Sequence, residues 1–426
     1  KKAGPFFVVL MMKLPPATTT VFLLVCCAAT ARASLAPPHD KKTKAQHPRM
    51  TMDEVPVIDV SRIVSGAPTP EDVDAIDLGC RFGFFHVRGH GIERRIIENF
   101  DSAMRWFFAL PEAEKKKYRR SRDCSRGFAN DEFTKNTRDV KELYDFGHVP
   151  RRDLDFDAPE NRVLDGYNRA PPDAFFRTAL LEYYDACAGV CRKLMTTIAA
   201  ALHLEDPEAF DDEFFGGAHT SFLRLNFYPP LPRSAERFDD AAADLDRIRD
   251  GNDDQPDDSE TPLAELRGQR LGVNRHFDAG GVTLLRQDPS VSALQFNADA
   301  HKDDGANPRW IDVAPPQPLN ADDFPLTVNV ADMLQVLSND RYEAAEHRVL
   351  ATRGDAVRYS APFFYNPRYD ATIKPLRSPA RYQPFTYGDF RRRRFEGDFE
   401  NQGKPEIQIA DFRIPPTGGD DQAASS

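Results

Sequence analysis

The chain has 426 residues, of which 41% are hydrophobic and 29% charged, with a formal net charge of −11 and a pI near 5.5. That hydrophobicity excludes a chain too polar to build a core. The acidic balance excludes a general nucleic-acid or anionic-membrane binder, which needs a basic footprint, and points to a small-molecule partner.

In chain order the first feature is a leader. Met11 or Met12 fits a start. Lys13, the apolar run Val21-Phe-Leu-Leu-Val-Cys-Cys-Ala-Ala29 and Ala31-Arg-Ala33 before Ser34 follow in the order of a signal peptide with a small-residue cleavage site. The run is too short for a stable membrane span. Ser34-Leu-Ala-Pro-Pro38 resembles the junction of bipartite plastid leaders. Residues 1–50 are therefore expected to be a secretory or plastid leader and linker, with a cytoplasmic enzyme behind a misassigned first exon as the alternative. Of six cysteines, Cys26 and Cys27 fall in this leader. Cys80, Cys124, Cys187 and Cys191 lack zinc-site spacing and read as reduced packing residues.

Folded sequence begins at Val55-Pro-Val-Ile-Asp-Val60, an alternating strand. Thr69, Pro70, Glu71 and Asp72 supply an N-cap, a proline at the first helical position and early acids, and Val73, Ile76 and Cys80 recur at helical spacing up to a stop at Gly83. Phe84-Phe-His-Val87 is a second strand, and Ile96, Ile97, Phe100, Met104, Phe107 and Phe108 mark a helix ending before Pro111. These elements, over 55–170, make an α/β annex. Within 171–217, the apolar stripe between Ala174 and Leu204 predicts a long supporting helix. Beyond Phe214 come short β-like runs: 222–228, 281–285, 326–330, 347–350 and 356–360. Their number and brevity predict a jelly roll or barrel over 218–367. The acidic insertion 231–271 carries almost no large apolar residues and reads as a solvated loop, and 368–426 as a C-terminal extension.

An iron ion that must activate oxygen needs three ligands on one face and open positions on the other, the 2-His-1-carboxylate arrangement. Side chains at i and i+2 of a strand share a face, so His-x-Asp on a strand converges on one ion. Three His-x-acid pairs occur. His203-Leu-Glu205 ends a helix, where i and i+2 diverge, and His301-Lys-Asp303 sits in what reads as a surface loop. His276-Phe-Asp278 alone stands beside β-like sequence, and His347 enters a distant apolar run as the third candidate. Arg358-Tyr-Ser360 repeats the i, i+2 logic, setting a guanidinium and a hydroxyl on one face to grip a carboxylate.

These pieces resemble the plant-type 2-oxoglutarate/Fe(II) dioxygenases, the isopenicillin-N-synthase-like family that includes flavonoid and gibberellin oxygenases and aminocyclopropane-carboxylate oxidase. The resemblance runs from Val55 to Pro367 through Cys80-Arg-Phe-Gly-Phe-Phe-His-Val87, His90-Gly-Ile92, Leu223-Arg-Leu-Asn-Phe-Tyr-Pro-Pro230, Arg275-His-Phe-Asp278, Trp310-Ile-Asp-Val313, Glu346-His-Arg-Val349 and Phe363-Phe-Tyr-Asn-Pro367, in that order. It implies a mainly β chain with α, a double-stranded β-helix (jelly roll, cupin-like) core with helices outside. It implies Fe(II) at His276, Asp278 and His347, and 2-oxoglutarate held at Arg358 and Ser360 in a pocket lined by Tyr228 and Asn226. It further implies O2 as oxidant and ascorbate as an accessory reductant. Oxidative decarboxylation of 2-oxoglutarate to succinate would be coupled to hydroxylation or desaturation of a small organic substrate. Ala331, where the family usually has glycine, the acidic insertion, and the polar 299–307 depart from the pattern. The alternatives are an oxidase of the same fold that uses no 2-oxoglutarate and a non-catalytic binding protein on this fold. The substrate pocket is expected from the annex, the segment around Arg126 to Tyr144 and the region past Pro367.

Overall fold

The structure, a computed structural model, describes residues 54–415 except 122–123, 135–136, 148–166, 217–218, 231–270, 302–307, 353 and 400–406. The expected leader, nearly all of the acidic insertion and the end of the C-terminal extension lie outside the described residues.

In chain order the described strands are β1 (Val57–Asp59), β2 (Phe84–Arg88), β3 (Gly127–Ala129), β4 (Phe133–Thr134), β5 (Thr137–Arg138), β6 (Glu142–Gly147), β7 (Phe222–Tyr228) and β8 (Leu271–His276). There follow β9 (Val282–Gln287), β10 (Leu294–Asn297), β11 (Trp310–Asp312), β12 (Leu326–Val330), β13 (His347–Leu350), β14 (Arg358–Tyr365), β15 (Thr372–Ile373) and β16 (Phe385–Thr386). Two sheets carry the architecture: an eight-stranded one in the order β1-β2-β12-β9-β14-β7-β6-β3, and a four-stranded one in the order β11-β10-β13-β8. All pairings are antiparallel except β1 with β2. This is a jelly-roll core, and the helices around it make the class mixed α and β. The strands β3, β6, β10 and β11 were not predicted: β3, β10 and β11 have only three or four residues, and β6 is buried on both faces from Leu143 to Gly147, so its burial does not alternate.

The helices follow from local sequence. Thr69 and Asp72 form the capping box of the helix Pro70–Phe82, with the Thr69 N–H donating to Asp72 Oδ2 at 2.8 Å, and Gly83 ends it at φ 91°. The long helix Ala174–Ala201 is capped by Asp173, whose carboxylate accepts from the Phe176 N–H at 2.7 Å. It stops after Leu202, where His203 turns to φ 55°. Its apolar stripe packs on the helix Arg94–Ala109, with Tyr183 stacked on Phe100 at 4.0 Å, and on the outer face of the large sheet. The four described cysteines are free and buried, as their spacing predicted.

Strand alternation divides the large sheet between two cores. Leu223, Leu225, Val282, Leu284, Val328, Val330, Ala361 and Phe363 join the helix-side core. The alternate residues face the small sheet, where Phe84, Tyr228 and Leu285 meet Val273, Leu294, Phe296 and Val349 in a second, smaller core. The polar members of that inner set, Asn226, Thr283, Asn329, Arg358 and Ser360, are buried. A buried polar group costs free energy unless it is paired, so a row of them inside a sheet sandwich marks a place kept for a ligand.

Candidate metal centre and co-substrate pocket

The inner face opens into a cavity of about 1080 Å³ lined by residues of both sheets. As expected, the segment near Arg126 to Tyr144 contributes to its wall through Glu132, Thr134 and Lys141, and the region past Pro367 through Arg391, Arg394 and Ile409.

His276 is the last residue of β8 and His347 the first of β13, and the antiparallel register sets them opposite each other. Their ring centroids are 4.3 Å apart. Asp278 does not share the strand with His276 as predicted. It lies two residues past the strand end, where its backbone carbonyl accepts from the Asp332 N–H at 2.8 Å. The loop, held by the start of the helix Asp332–Leu337, brings the carboxylate round to the same point.

One donor atom from each of the three residues lies within 4.8 Å of the others. Asp278 Oδ1 is 3.6 Å from His276 Nε2 and 3.7 Å from His347 Nε2. The remaining polar atoms are already engaged. His276 Nδ1 donates to the Asn274 carbonyl at 2.8 Å and His347 Nδ1 to the Ala345 carbonyl at 2.9 Å. A carbonyl can only accept, so each Nδ1 carries a proton and Nε2 is the nitrogen left to bind a metal, the arrangement that outer partners impose on metal-binding histidines. Asp278 Oδ2 accepts from Thr283 Oγ1 at 2.6 Å and Asn329 Nδ2 at 2.9 Å, leaving Oδ1 to face the two rings.

The electrostatics keep the donors ready. Burial, then the neighbouring His347 ring, pulls His276 down to about 3, although Asp278 opposes it, so its ring is neutral at physiological pH. Burial disfavours charge on Asp278, but the His347 and His276 rings and the Thr283 and Asn329 hydrogen bonds outweigh it and hold its carboxyl below the usual range. Two imidazoles and one carboxylate that face the cavity suit a divalent first-row metal with open positions.

The four residues expected at the co-substrate form two cross-strand pairs, Arg358 with Tyr228 and Ser360 with Asn226. Arg358 is 1% exposed, and its guanidinium carbon lies 4.8 Å from the Tyr228 ring centroid. Its Nη1 is 3.4 Å from Ser360 Oγ, its Nε meets no acceptor, and no carboxylate among the described residues pairs with it. Asn226 Oδ1 is likewise buried without a donor. A desolvated guanidinium beside a hydroxyl and a carboxamide fits a carboxylate that enters the cavity.

The other histidine motifs separate. His203 is exposed at a helix end. His301, read as surface loop, is half-buried on the cavity wall with Nε2 2.7 Å from the Ala344 carbonyl oxygen; its motif partner at 303 lies outside the described residues. Ala331 is fully buried with φ −119°, extended backbone that needs no glycine. Sequence reasoning assigned no role to Thr283 or Asn329, and it missed Arg394, which donates from Nη2 to the carbonyl of Phe277 between two of the three clustered residues.

Comparison with known proteins agrees with this geometry. Residues 55–173 match the family described as non-haem dioxygenase in morphine synthesis N-terminal, and residues 219–367 match the 2OG-Fe(II) oxygenase superfamily. The chain is 31% identical over 353 residues to 1-aminocyclopropane-1-carboxylate oxidase of Musa acuminata, covering 79% of this chain and 92% of that protein. It is 27% identical over 347 residues to jasmonate-induced oxygenase 4 of Arabidopsis thaliana, covering 79% and 81%. Among solved structures, JOX2 in complex with 2OG, Fe and JA is 25% identical with a TM-score of 0.60, covering 88% of this chain and 92% of that one. A full-length Neurospora crassa protein in complex with alpha-KG and thymine, 23% identical with a TM-score of 0.60 over 80% and 96%, shares the fold. Fold, donor set and family matches converge, and the chain belongs to the 2OG-Fe(II) oxygenase superfamily, as a non-haem iron enzyme that uses 2-oxoglutarate to oxidise a small molecule.

Proposed function

We propose that His276, Asp278 and His347 bind one Fe(II) and that Arg358 and Ser360, with Tyr228 and Asn226 beside them, hold the distal carboxylate of 2-oxoglutarate for hydroxylation of a small organic substrate. The observation that carries the reading is the free Asp278 Oδ1 facing two Nε2 atoms while every other polar atom of the three side chains is engaged. Iron bound there would supply the oxygen chemistry, in which O2 oxidises a substrate C–H bond and 2-oxoglutarate together, the latter to succinate and CO2.

The chain's own contribution is position. The two imidazoles are anchored at Nδ1 by backbone carbonyls and turn Nε2 to the cavity. Thr283 and Asn329 stop Asp278 from rotating. Arg358 orients its ligand by a planar fork over Tyr228, and the apolar Phe84, Leu285, Leu294 and Val349 exclude water from that side of the cavity. The acidic balance of the chain supports a small-molecule ligand rather than nucleic acid.

The test is succinate formation and oxygen uptake by the iron-loaded protein given 2-oxoglutarate and a metabolite panel. Both are expected to rise together with one class of compound, and Asp278→Ala should abolish both and weaken iron binding. Substrate oxidation without succinate would favour the oxidase of the same fold, the reading that the likeness to aminocyclopropane-carboxylate oxidase keeps in view.

A further inference from the structure

The cavity wall is cationic although the chain is acidic. Seven Lys and Arg side chains line it against five Asp and Glu, whereas the whole chain carries 56 against 67. Most of the seven are already matched. Lys141 Nζ is 2.7 Å from Glu132 Oε2. Arg224 grips Asp145 through Nε at 2.7 Å and Nη2 at 3.0 Å and also reaches Glu132. Arg381 and Arg413 share Asp340, and Arg394 stands 3.6 Å from Asp332. Two cations of the wall pair with no carboxylate among the described residues, Arg358 and Arg391. Arg358 is accounted for by 2-oxoglutarate. Arg391 is half-buried on the helix Tyr387–Phe399, with its guanidinium carbon 5.4 Å from the Phe222 ring centroid.

Register places this second cation. Phe222 stacks on its cross-strand partner Phe364 at 4.6 Å. Phe364 pairs in turn with Thr283, whose hydroxyl binds Asp278. Phe222 and Arg391 therefore sit at the strand level of the metal ligands. Tyr228 and Arg358 occupy the other end of β7 and β14, their backbones about 20 Å along the strands at 3.3 Å per residue, so the two cations stand at different places on the wall. The cavity has two cationic poles, and one co-substrate fills only one of them.

We propose that Arg391 is the anion-binding pole for the primary substrate, and that this substrate is an organic carboxylate whose apolar or aromatic body packs on Phe222 and Phe364. The proposal rests on the assignment of the iron centre and of Arg358 given above. A guanidinium lying on an aromatic face keeps its charge in a low-dielectric wall and still offers N–H edges to a carboxylate, which an ammonium does less well. Phe222 and Phe364 provide an apolar surface between that edge and the metal, so a bound acid would present carbon, not its charge, to the oxidising centre.

The experiment uses anaerobic Fe(II) protein saturated with 2-oxoglutarate, so that Arg358 is occupied. Phenylacetate, trans-cinnamate and decanoate are titrated by calorimetry, each beside its neutral amide. At least one acid should bind about tenfold or more tightly than its amide. Arg391→Gln should remove that preference, leaving the amide and 2-oxoglutarate dissociation constants within about twofold of wild type. Arg391→Lys, which keeps the charge and guards against a glutamine variant that folds poorly, should retain a preference of about threefold. The proposal is overturned if no acid is preferred over its amide, if the preference survives in Arg391→Gln, or if that variant loses 2-oxoglutarate instead. Absence of the 2-oxoglutarate charge-transfer band in the wild type would overturn the iron assignment itself, and this proposal with it.

Discussion

Replacing Arg358 by lysine keeps a positive charge in the wall of the cavity but removes the fork. In the structure the guanidinium lies over Tyr228, has Nη1 3.4 Å from Ser360 Oγ, and leaves Nε with no acceptor, so it is shaped to receive two oxygens at once. An ammonium at the end of a flexible stem satisfies one carboxylate oxygen and leaves the other desolvated and unpaired. A hydrogen bond to a charged group is worth about 1.5 to 3 kcal/mol, so Arg358→Lys should weaken 2-oxoglutarate binding roughly ten- to hundredfold. Iron affinity should stay within about twofold, because Arg358 touches none of the three metal-site side chains. The assay is titration of 2-oxoglutarate into anaerobic Fe(II) enzyme, following the visible charge-transfer band. An unchanged dissociation constant would refute the assignment of Arg358 and move the oxidase without 2-oxoglutarate ahead.

Three further outcomes follow from particular contacts. Thr283→Val removes the 2.6 Å hydrogen bond to Asp278 Oδ2 at nearly constant volume, and iron affinity measured against a chelator should fall about ten- to hundredfold; an unchanged affinity would mean that Asn329 alone fixes the carboxylate. Burial, aided by Arg88, depresses His86 from 6.5 to about 4, while its Nδ1 lies 3.0 Å from Thr327 Oγ1. Between those values the unfolded chain binds a proton that the folded one does not. Stability from this group is thus full above pH 6.5 and is lost as pH falls toward 4, by roughly 3 kcal/mol. Urea unfolding at pH 7.5 and pH 4.5 should show a smaller difference in His86→Gln than in wild type, and equal differences would count against the buried neutral imidazole. Arg394 joins the Phe277 and Ile407 carbonyls and stands 3.6 Å from the buried Asp332. Arg394→Met should cost about 3 kcal/mol by uncovering that acid and should loosen iron as well; a variant with wild-type melting temperature and iron affinity would show that the C-terminal helix does not brace the metal loop.

The site was partly legible because its chemistry is written at short range. Arg358 and Ser360 share a strand face, so their spacing alone brought them together. His276 and Asp278 had the right spacing for a different reason than expected, since the strand ends at His276 and a loop turns Asp278 back. His301 was misplaced on the surface, because the polarity of its neighbours resembles a loop while its ring packs at 5.7 Å from Phe277.

What the sequence determined by itself was the set of candidate donors, the type of the long elements and their ends: the capping box at Thr69, the stop at Gly83, the stripe of the helix Ala174–Ala201 and the alternation of β7, β9 and β12. These depend on interactions within a few residues of each other, and hydrophobic periodicity records them directly. The tertiary structure alone decided the register that opposes His276 to His347 and Arg358 to Tyr228, the aiming of Thr283 and Asn329 at one oxygen of Asp278, and the return of the C-terminal helix to set Arg391 and Arg394 on the cavity wall. Most of those contacts join residues tens to hundreds of positions apart. Sheet pairing and the matching of buried charges select them, and neither leaves a local period in the chain.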